Sequence, residues 1–477
     1  MKIAMISSEA NPLVKSGGLA DVVYSLSKEL NKNNEETIIL LPYYQKIKAK
    51  NLPTEFIGSF NIFMSWRQQY CGILKTKVDG ITYYLLDNEQ YFNRPELYSY
   101  NDDGERFAFF ALASIEALKR INFKADIIHV HDWQTAIIPC LIKERYQFDE
   151  FFKGTHFVLT IHNPAFKGYL DKYFLNNFFG LSDILFDNGK VRFDGQVSTL
   201  KAGIVYSDQI TTVSPTHRDE LLSPISEFKF NYVLELRKDD FLGVVNGIDT
   251  DEFNPSTDEK IAKTYSASAF LKGKEANKKA LLDQLFLPRS DAPVYGLVSR
   301  LTWQKGIDLI LANAEHLISK GAILVVLGSG EKQLENAFQN LRDRYPNQVG
   351  IYIGYNDALA HKVYAGSDFF LMPSLFEPCG IGQMIAMRYG TLPIVRETGG
   401  LVDTVIGYTN HNADVATGFR FHDYKAEGLR GSIDQSLDCY NDKVNFKKLI
   451  KNAMNYDVSW VKSTNEYMNI YRKAMTK

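Results

Sequence analysis

Residues 294–306 read Val294-Tyr295-Gly296-Leu297-Val298-Ser299-Arg300-Leu301-Thr302-Trp303-Gln304-Lys305-Gly306. The apolar run 294–299 has strand length, and the segment 305–320 behind it has helical period. A strand this continuously hydrophobic predicts a parallel sheet covered on both faces. In such sheets ligands bind beyond the carboxyl ends of the strands, so the turn between strand and helix is the place to look for chemistry. Here that turn carries two cations, Arg300 and Lys305, with Lys305 expected at the helix start. Cations in a first helical turn oppose the helix dipole. An anionic ligand such as a diphosphate resolves the conflict, and Arg grips one bidentately. The alternative is exposed surface charge.

The same alternation extends in both directions. Downstream, strands are predicted at 322–327, 349–353, 368–372 and 392–396, with helices at 331–344, 357–366 and 380–390. Upstream, beyond a polar stretch at 254–292, strands are predicted at 2–7, 37–41, 82–86, 126–130 and 156–161. Helices are predicted there at 18–31, 104–121 and 133–146. The fold class is therefore α/β, two Rossmann-like doubly wound domains in tandem. The first is expected to span 1–242 and the second 243–456, with a last amphipathic helix (457–477) free to return to the first. Short tandem repeats and low-complexity tracts are absent, which excludes solenoids and propellers.

Composition narrows the function. Among 477 residues, Lys plus Arg total 54 and Asp plus Glu 56, a net charge of −2. That argues against nucleic acid bound through bulk charge and leaves room for a local basic pocket. No apolar run approaches the roughly 18 residues of a membrane span, and the N-terminus lacks signal-peptide character. Cys71, Cys140, Cys379 and Cys439 lie far apart, with no C-x-x-C pair. This excludes a zinc ribbon or disulfide scaffold and suits a reducing cytoplasm.

Other candidate positions follow strand ends. Lys15-Ser16-Gly17-Gly18-Leu19-Ala20-Asp21 places a glycine pair and a lysine before a helix, either a phosphate or sugar site or a capped flexible loop. His129-Val130-His131-Asp132 invites a metal-site reading, but the two histidines are expected to face opposite ways and no other ligands stand at suitable spacing. Asp132 is read as the helix N-cap. His162 ends its strand and can contact a ligand or bond within its loop. Asp249-Thr250-Asp251, next to Asn-Gly and Asn-Pro, is read as turn chemistry. Gly328-Ser329-Gly330 is a common tight turn, and Tyr355 either stacks on a base or packs at a rim. Glu377-Pro378-Cys379-Gly380-Ile381-Gly382 sets a carboxylate before a helix whose first turn is expected to hold both glycines. No histidine pairs with Cys379, which argues against a thiolate nucleophile.

Taken in order with His131-Asp132-Trp133-Gln134, Thr160-Ile161-His162-Asn163, Val245-Asn246-Gly247-Ile248-Asp249 and Thr398-Gly399-Gly400-Leu401, these segments resemble the ADP-glucose-dependent glycogen/starch synthase family, bacterial members above all. The likeness runs from residue 1 to about 405 and departs in small ways. Ser16 stands where Thr is usual and Ile381 where Leu is common. Ile385 replaces the second Glu of the Glu-x7-Glu found in a wider set of glycosyltransferases. The resemblance implies the GT-B architecture, with an active site in the interdomain cleft, an acceptor-side first domain and a nucleotide-sugar-binding second domain. It implies that Lys15, Gly17, Gly18 and Asp21 shape the donor and sugar side. Arg300 and Lys305 would hold the diphosphate, and Tyr355 would stack on adenine. His162, Asn246, Glu377, Cys379 and Gly380 would meet the glucosyl unit, with Thr398 also in contact with substrate. The partners implied are ADP-glucose and an α-1,4-glucan, with no cofactor and no metal.

The implied reaction moves glucose to a non-reducing 4-OH with retention. Double displacement needs a carboxylate on the β face, and in the family Glu377's counterpart binds sugar hydroxyls. A front-face route is therefore expected, with His162 and its carbonyl steadying the oxocarbenium ion and the leaving diphosphate taking the acceptor proton. Catalysis would rest on His162, Arg300, Lys305 and Glu377. The alternatives are a retaining transferase using UDP-glucose and a metal-dependent hydrolase built on His129 and His131. A dehydrogenase lacks its G-x-G-x-x-G fingerprint, and a pyridoxal-dependent phosphorylase lacks a lysine that can be placed.

Overall fold

The computed structural model describes residues 1–477, in two compact units: Met1–Asn246 with Trp460–Lys477, and Gly247–Ser459.

In the first unit, strands β1 (Lys2–Ile6), β2 (Glu36–Pro42), β3 (Glu55–Met64), β4 (Arg67–Val78), β5 (Ile81–Asp87), β6 (Ile127–His131) and β7 (His156–Ile161) belong to one sheet. Three short strands, β8 (Tyr169–Leu170), β9 (Arg192–Phe193) and β10 (Gln196–Ser198), form a separate antiparallel patch. Strands β11 (Gln209–Thr212) and β12 (Phe241–Gly243) complete the main sheet, whose order is β12-β11-β7-β6-β1-β2-β5-β4-β3. All its pairings are parallel except those of β4. Residues such as Ile3, Met5, Leu40, Ile128 and Leu159 are fully buried, each contributing roughly 1.5–3 kcal/mol by leaving water.

The sequence expectation missed the β3–β4 hairpin. In the second half of β3, buried and exposed residues alternate, as in a strand with one wet face, so no continuous apolar run announces it. The helix expected over 133–146 is two, Asp132–Thr135 and Ile138–Glu144. Pro139 stands in the first turn of the second, where its missing N–H breaks no intrahelical bond.

The last helix, Trp460–Ala474, adds Trp460, Tyr467, Met468, Ile470 and Tyr471 to the first unit's core. Ser463 Oγ donates to the Val245 carbonyl at 2.5 Å, fixing the helix to the end of the first unit's main segment.

The second unit is a six-stranded parallel sheet of β13 (Val294–Val298), β14 (Ile323–Gly328), β15 (Val349–Ile353), β16 (Phe369–Met372), β17 (Leu392–Arg396) and β18 (Phe419–Phe421), in the order β15-β14-β13-β16-β17-β18. The polar stretch 254–292 contains a helix, Leu271–Gln284, whose Lys274 is buried. Lys274 Nζ donates to the Ser367 carbonyl and to Thr391 Oγ1, both at 2.6 Å.

In both sheets the strand order reverses next to the first strand, at β6/β1 and at β16/β13. The carboxyl ends of those strands are where an open α/β sheet offers a ligand crevice.

Candidate functional site

In the second unit, the loop after β13 carries the two cations. Leu301 bridges to Gly330, with Leu301 N–H donating to the Ser329 carbonyl at 2.9 Å. A Cβ on Gly328 would fall 1.9 Å from the Ser299 carbonyl and one on Gly330 2.3 Å from that of Leu301. Glycines are required there because two strand-end loops touch. Lys305 does not open the helix as expected. It closes a 3₁₀ turn, Trp303–Lys305, and the helix begins at Ile307 after Gly306 in a left-handed conformation (φ 69°). The turn therefore presents Lys305 sideways to the loop after β16, where Leu375 N–H donates to the Gln304 carbonyl at 2.9 Å.

Lys305 Nζ donates to Glu377 Oε2 at 2.5 Å, and Ser374 Oγ donates to the same oxygen at 3.2 Å. Glu377 is buried (7% exposed), whereas Arg300 is exposed and has no ion pair. Gly380 is left-handed (φ 72°) and lies before the helix Gly382–Arg388, not in its first turn as expected. The left-handed turn delays the helix and lets the chain double back past Glu377. The loop after β17 closes on this turn. Gly400 N–H donates to the Pro378 carbonyl at 3.0 Å, and a Cβ on Gly399 (φ 44°) would lie 2.1 Å from the Glu377 carbonyl. Cys379 and Thr398 are buried in the same place. Arg300, Lys305, Glu377, Cys379, Gly380 and Thr398 thus share the strand-end loops of one sheet edge. Tyr355, exposed at 87%, precedes the helix Asp357–Gly366, whose N-cap Asn356 accepts from Leu359 N–H.

In the first unit, Glu9 follows β1 and is buried; Ser16 donates to it through its backbone N–H and, at 2.9 Å, its hydroxyl. Burial pushes its carboxyl up, opposed by those Ser16 bonds. Lys15 Nζ lies 2.7 Å from Asp21, so the ammonium expected to complete an anion or sugar site is paired within its own loop. Burial raises the Asp21 carboxyl and the Lys15 charge opposes it. A Cβ on Gly17 or Gly18 would meet nothing within 4 Å, so internal packing does not demand glycine there. Asn246 is buried and its Oδ1 has no partner.

The histidines differ from expectation. Side chains two apart on a strand share a face, and His129 and His131 stack with ring centroids 4.2 Å apart instead of facing opposite ways. His131 Nδ1 lies 3.1 Å from His162 Nε2, so the third histidine joins them from β7. Burial lowers His129 and His162 to about 3 and His131 well below its usual value, keeping all three neutral near pH 7. Nor does Asp132 cap its own helix. In a left-handed conformation (φ 54°), it accepts the backbone N–H groups of His162 at 2.7 Å and Asn163 at 3.2 Å. It thereby holds the neighbouring strand end in place. Burial raises its carboxyl to about 7 against those two bonds.

For metals, Glu252, Asp357 and His361 bring one ligand atom each within 4.8 Å of one another. The Lys260 ammonium already stands among them, 2.6 Å from Asp357 and 3.2 Å from His361 Nε2, and supplies the positive charge. Asp249 accepts from Asp251 N–H at 2.9 Å, the turn its sequence suggested. Sequence reasoning gave no role to Glu9 and Ser374, weighed His131 only for a metal site and read Asp132 only as a cap. Their one signal was a polar side chain just after, or at the end of, a buried strand.

Residues 2–235 match the starch synthase catalytic domain and residues 282–453 match glycosyl transferases group 1. The glycogen synthases of Clostridium kluyveri and Bacillus cereus are each 43% identical to this chain, with all of both chains covered. The chain belongs to the glycogen synthase family. Its structure is similar to the catalytic domain of starch synthase IV from Arabidopsis thaliana bound to ADP and acarbose, with a TM-score of 0.93, 30% identity, and 100% and 99% of the two chains covered. The fold alone is shared with sucrose-phosphate synthase from Thermosynechococcus elongatus (TM-score 0.62, 17% identity, 100% and 99% covered). The architecture is therefore that of GT-B glycosyltransferases. As a member of this family the chain is an enzyme of glucosyl transfer in glycogen synthesis, not the hydrolase weighed as an alternative. No helix is long and apolar enough to cross a membrane.

Proposed function

We propose that the enzyme transfers glucose from ADP-glucose to the non-reducing 4-OH of an α-1,4-glucan with retention, as a cytoplasmic protein. One observation carries the donor side: Arg300 and Lys305 share a strand-end loop at the second sheet's reversal point, with a buried carboxylate beside them. Two cations so placed suit the diphosphate of a nucleotide sugar, and the related plant enzyme was solved with ADP. Tyr355, largely exposed beside that edge, offers a ring for adenine. The four cysteines are buried thiols, which suits a reducing compartment.

In this reading C1–O(phosphate) breaks while C1–O4 forms on the same face. The 4-OH proton passes to the departing phosphate oxygen. Arg300 and Lys305 stabilise charge developing on that phosphate. Glu377 Oε2 is already engaged by Lys305 and Ser374, which blunts it as a nucleophile and supports the route without a covalent intermediate. Glu377, Cys379, Gly380 and Thr398 hold sugar hydroxyls. In the first unit, the Lys15–Asp21 loop with Gly17 and Gly18 serves the donor and sugar side, and His162 and Asn246 meet the glucosyl unit. The test is glucosyl transfer to glycogen with ADP-glucose and UDP-glucose side by side. Faster transfer with ADP-glucose is expected; faster transfer with UDP-glucose overturns the donor assignment, and transfer with neither overturns the reading.

A further inference from the structure

The buried His129 and His131 and the half-buried His162 of the first unit form a connected set that ends on the last helix. Thr211 Oγ1 donates to the Leu159 carbonyl at 3.5 Å, so the Thr160 hydroxyl, 2.6 Å away, donates to Thr211. Thr160 is then an acceptor for His129 Nε2–H at 2.7 Å. A neutral His129 carries one ring proton, which leaves Nδ1 bare to accept the Tyr471 hydroxyl at 2.9 Å. His129 is thus fixed at both nitrogens, and its ring forms the floor on which His131 stacks. The backbone of His131 is held as well: its N–H donates to Thr135 Oγ1 at 2.7 Å, and that hydroxyl donates back to its carbonyl at 2.9 Å.

The tautomer of His131 follows. Its Nε2 is buried with no partner. Backbone N–H groups are left unpartnered less often than backbone carbonyls; the same preference applied to the ring assigns its proton to Nδ1, donated to His162 Nε2 at 3.1 Å. His162, also neutral, then carries its proton on Nδ1. With its backbone N–H held by Asp132, the ring has one nitrogen tied and one left for a ligand.

We infer that His131 is a positioning residue for His162, holding it in the Nδ1–H tautomer, and that Tyr471 of the C-terminal helix buttresses His131 through the stacked ring of His129. The inference rests on the reading in which His162 meets the glucosyl unit. It adds to that reading a defined donor atom and a role for a helix from the other end of the chain.

The test compares His131→Leu, which keeps bulk without a donor, His131→Asn, whose amide can replace Nδ1–H, and Tyr471→Phe, which removes one oxygen. Transfer from ADP-glucose to glycogen is measured with full-length protein, together with the ¹⁵N shifts of the imidazoles, the His162 signals being assigned by their loss in His162→Gln. His131→Leu is expected to lower kcat about 100-fold, the cost of a reacting group displaced by about 1 Å. KM for ADP-glucose should stay within about threefold, the mark of an interaction felt in the transition state. His131→Asn should recover about tenfold of that loss, and Tyr471→Phe should lose about threefold, on the same argument from placement. His162 in the wild type should show the Nδ1–H pattern. An Nε2–H pattern there, or a folded His131→Leu with wild-type kcat, overturns the inference. Should His131→Leu fail to fold, the wild-type tautomer and Tyr471→Phe decide it alone. An inactive wild type overturns the functional reading beneath it, whereas an active wild type with inactive His162→Gln and normal His131 variants overturns only this inference.

Discussion

Lys305 Nζ and Glu377 Oε2 lie 2.5 Å apart across two strand-end loops, while Arg300 on the same loop as Lys305 stands exposed and unpaired. On the proposed reading, an incoming diphosphate would meet one cation already paired by the protein and one that is not. The two substitutions separate accordingly. Removing Lys305 leaves a largely buried carboxylate without its counter-ion, so Lys305→Ala should lower unfolding stability by about 2–4 kcal/mol as well as transfer. Arg300→Ala should leave stability within about 0.5 kcal/mol yet lower kcat about 100-fold. Denaturant unfolding and steady-state kinetics on both variants check this; equal stability losses would rule out the distinction.

Gly399 and Gly321 both have positive φ, but a Cβ on Gly399 would strike the Glu377 carbonyl at 2.1 Å, and one on Gly321 would meet nothing within 4 Å. Gly321→Ala should cost about 1 kcal/mol, the backbone conformation alone. Gly399→Ala adds a clash that displaces the Glu377 turn, for a loss above about 3 kcal/mol with a raised KM for the nucleotide sugar. Similar losses at both positions would contradict the close approach of the two loops.

Asp132 gives a pH signature. Its carboxyl is raised to about 7 in the folded chain, chiefly by burial, against an ordinary 3.8. Between those values the folded state holds a proton that the unfolded state has released. Stability from this group is therefore lost as pH rises, by about 1.4 kcal/mol per unit. Asp132→Asn keeps an acceptor for the His162 and Asn163 N–H groups and removes the slope. Its stability relative to wild type should be about 2–3 kcal/mol more favourable at pH 7 than at pH 5. Denaturant unfolding at the two pH values reads it, and no change in the difference counts against the buried carboxyl.

The C-terminal helix buries Trp460, Tyr467, Met468, Ile470 and Tyr471 in the first unit. At roughly 1.5–3 kcal/mol each, these side chains supply about 10 kcal/mol, comparable with the whole stability of a domain. A chain ending at Ser459 should show fast hydrogen exchange in β1, β6 and β7 while β13, β14 and β16 remain protected. Retained protection in the first unit would contradict this.

The doubly wound architecture was legible because parallel strands buried on both faces write themselves as apolar runs, 126–130 and 322–327 among them. Strands β3 and β4 did not, since half of each faces water. The cations at 300 and 305 were legible as two charges just after a strand, but the helix-dipole conflict that singled them out placed the helix start at Lys305, and it lies at Ile307. The carboxylate partner of Lys305 was not, because Lys305 and Glu377 are 72 residues apart and meet only through the order of β13 and β16. The histidine pair shows a different failure. The two-residue repeat of a strand places His129 and His131, both within β6, on one face, and the opposite expectation misapplied that repeat to residues two apart. Asp132 looked like a cap because its position before a helix is common for caps. Only the fold reveals that its carboxylate points to the neighbouring strand.

Because the first unit is completed by Trp460–Lys477, the second is inserted within it in chain order. On a ribosome, Met1–Asn246 emerges with an apolar gap that only the last helix fills. At about 5–20 residues per second the wait for that helix is roughly ten to forty seconds. Gly247–Ser459 has by then emerged whole and can fold first, reversing the usual N-to-C order. The half-finished first unit is the interval in which a chaperone has an apolar surface to hold.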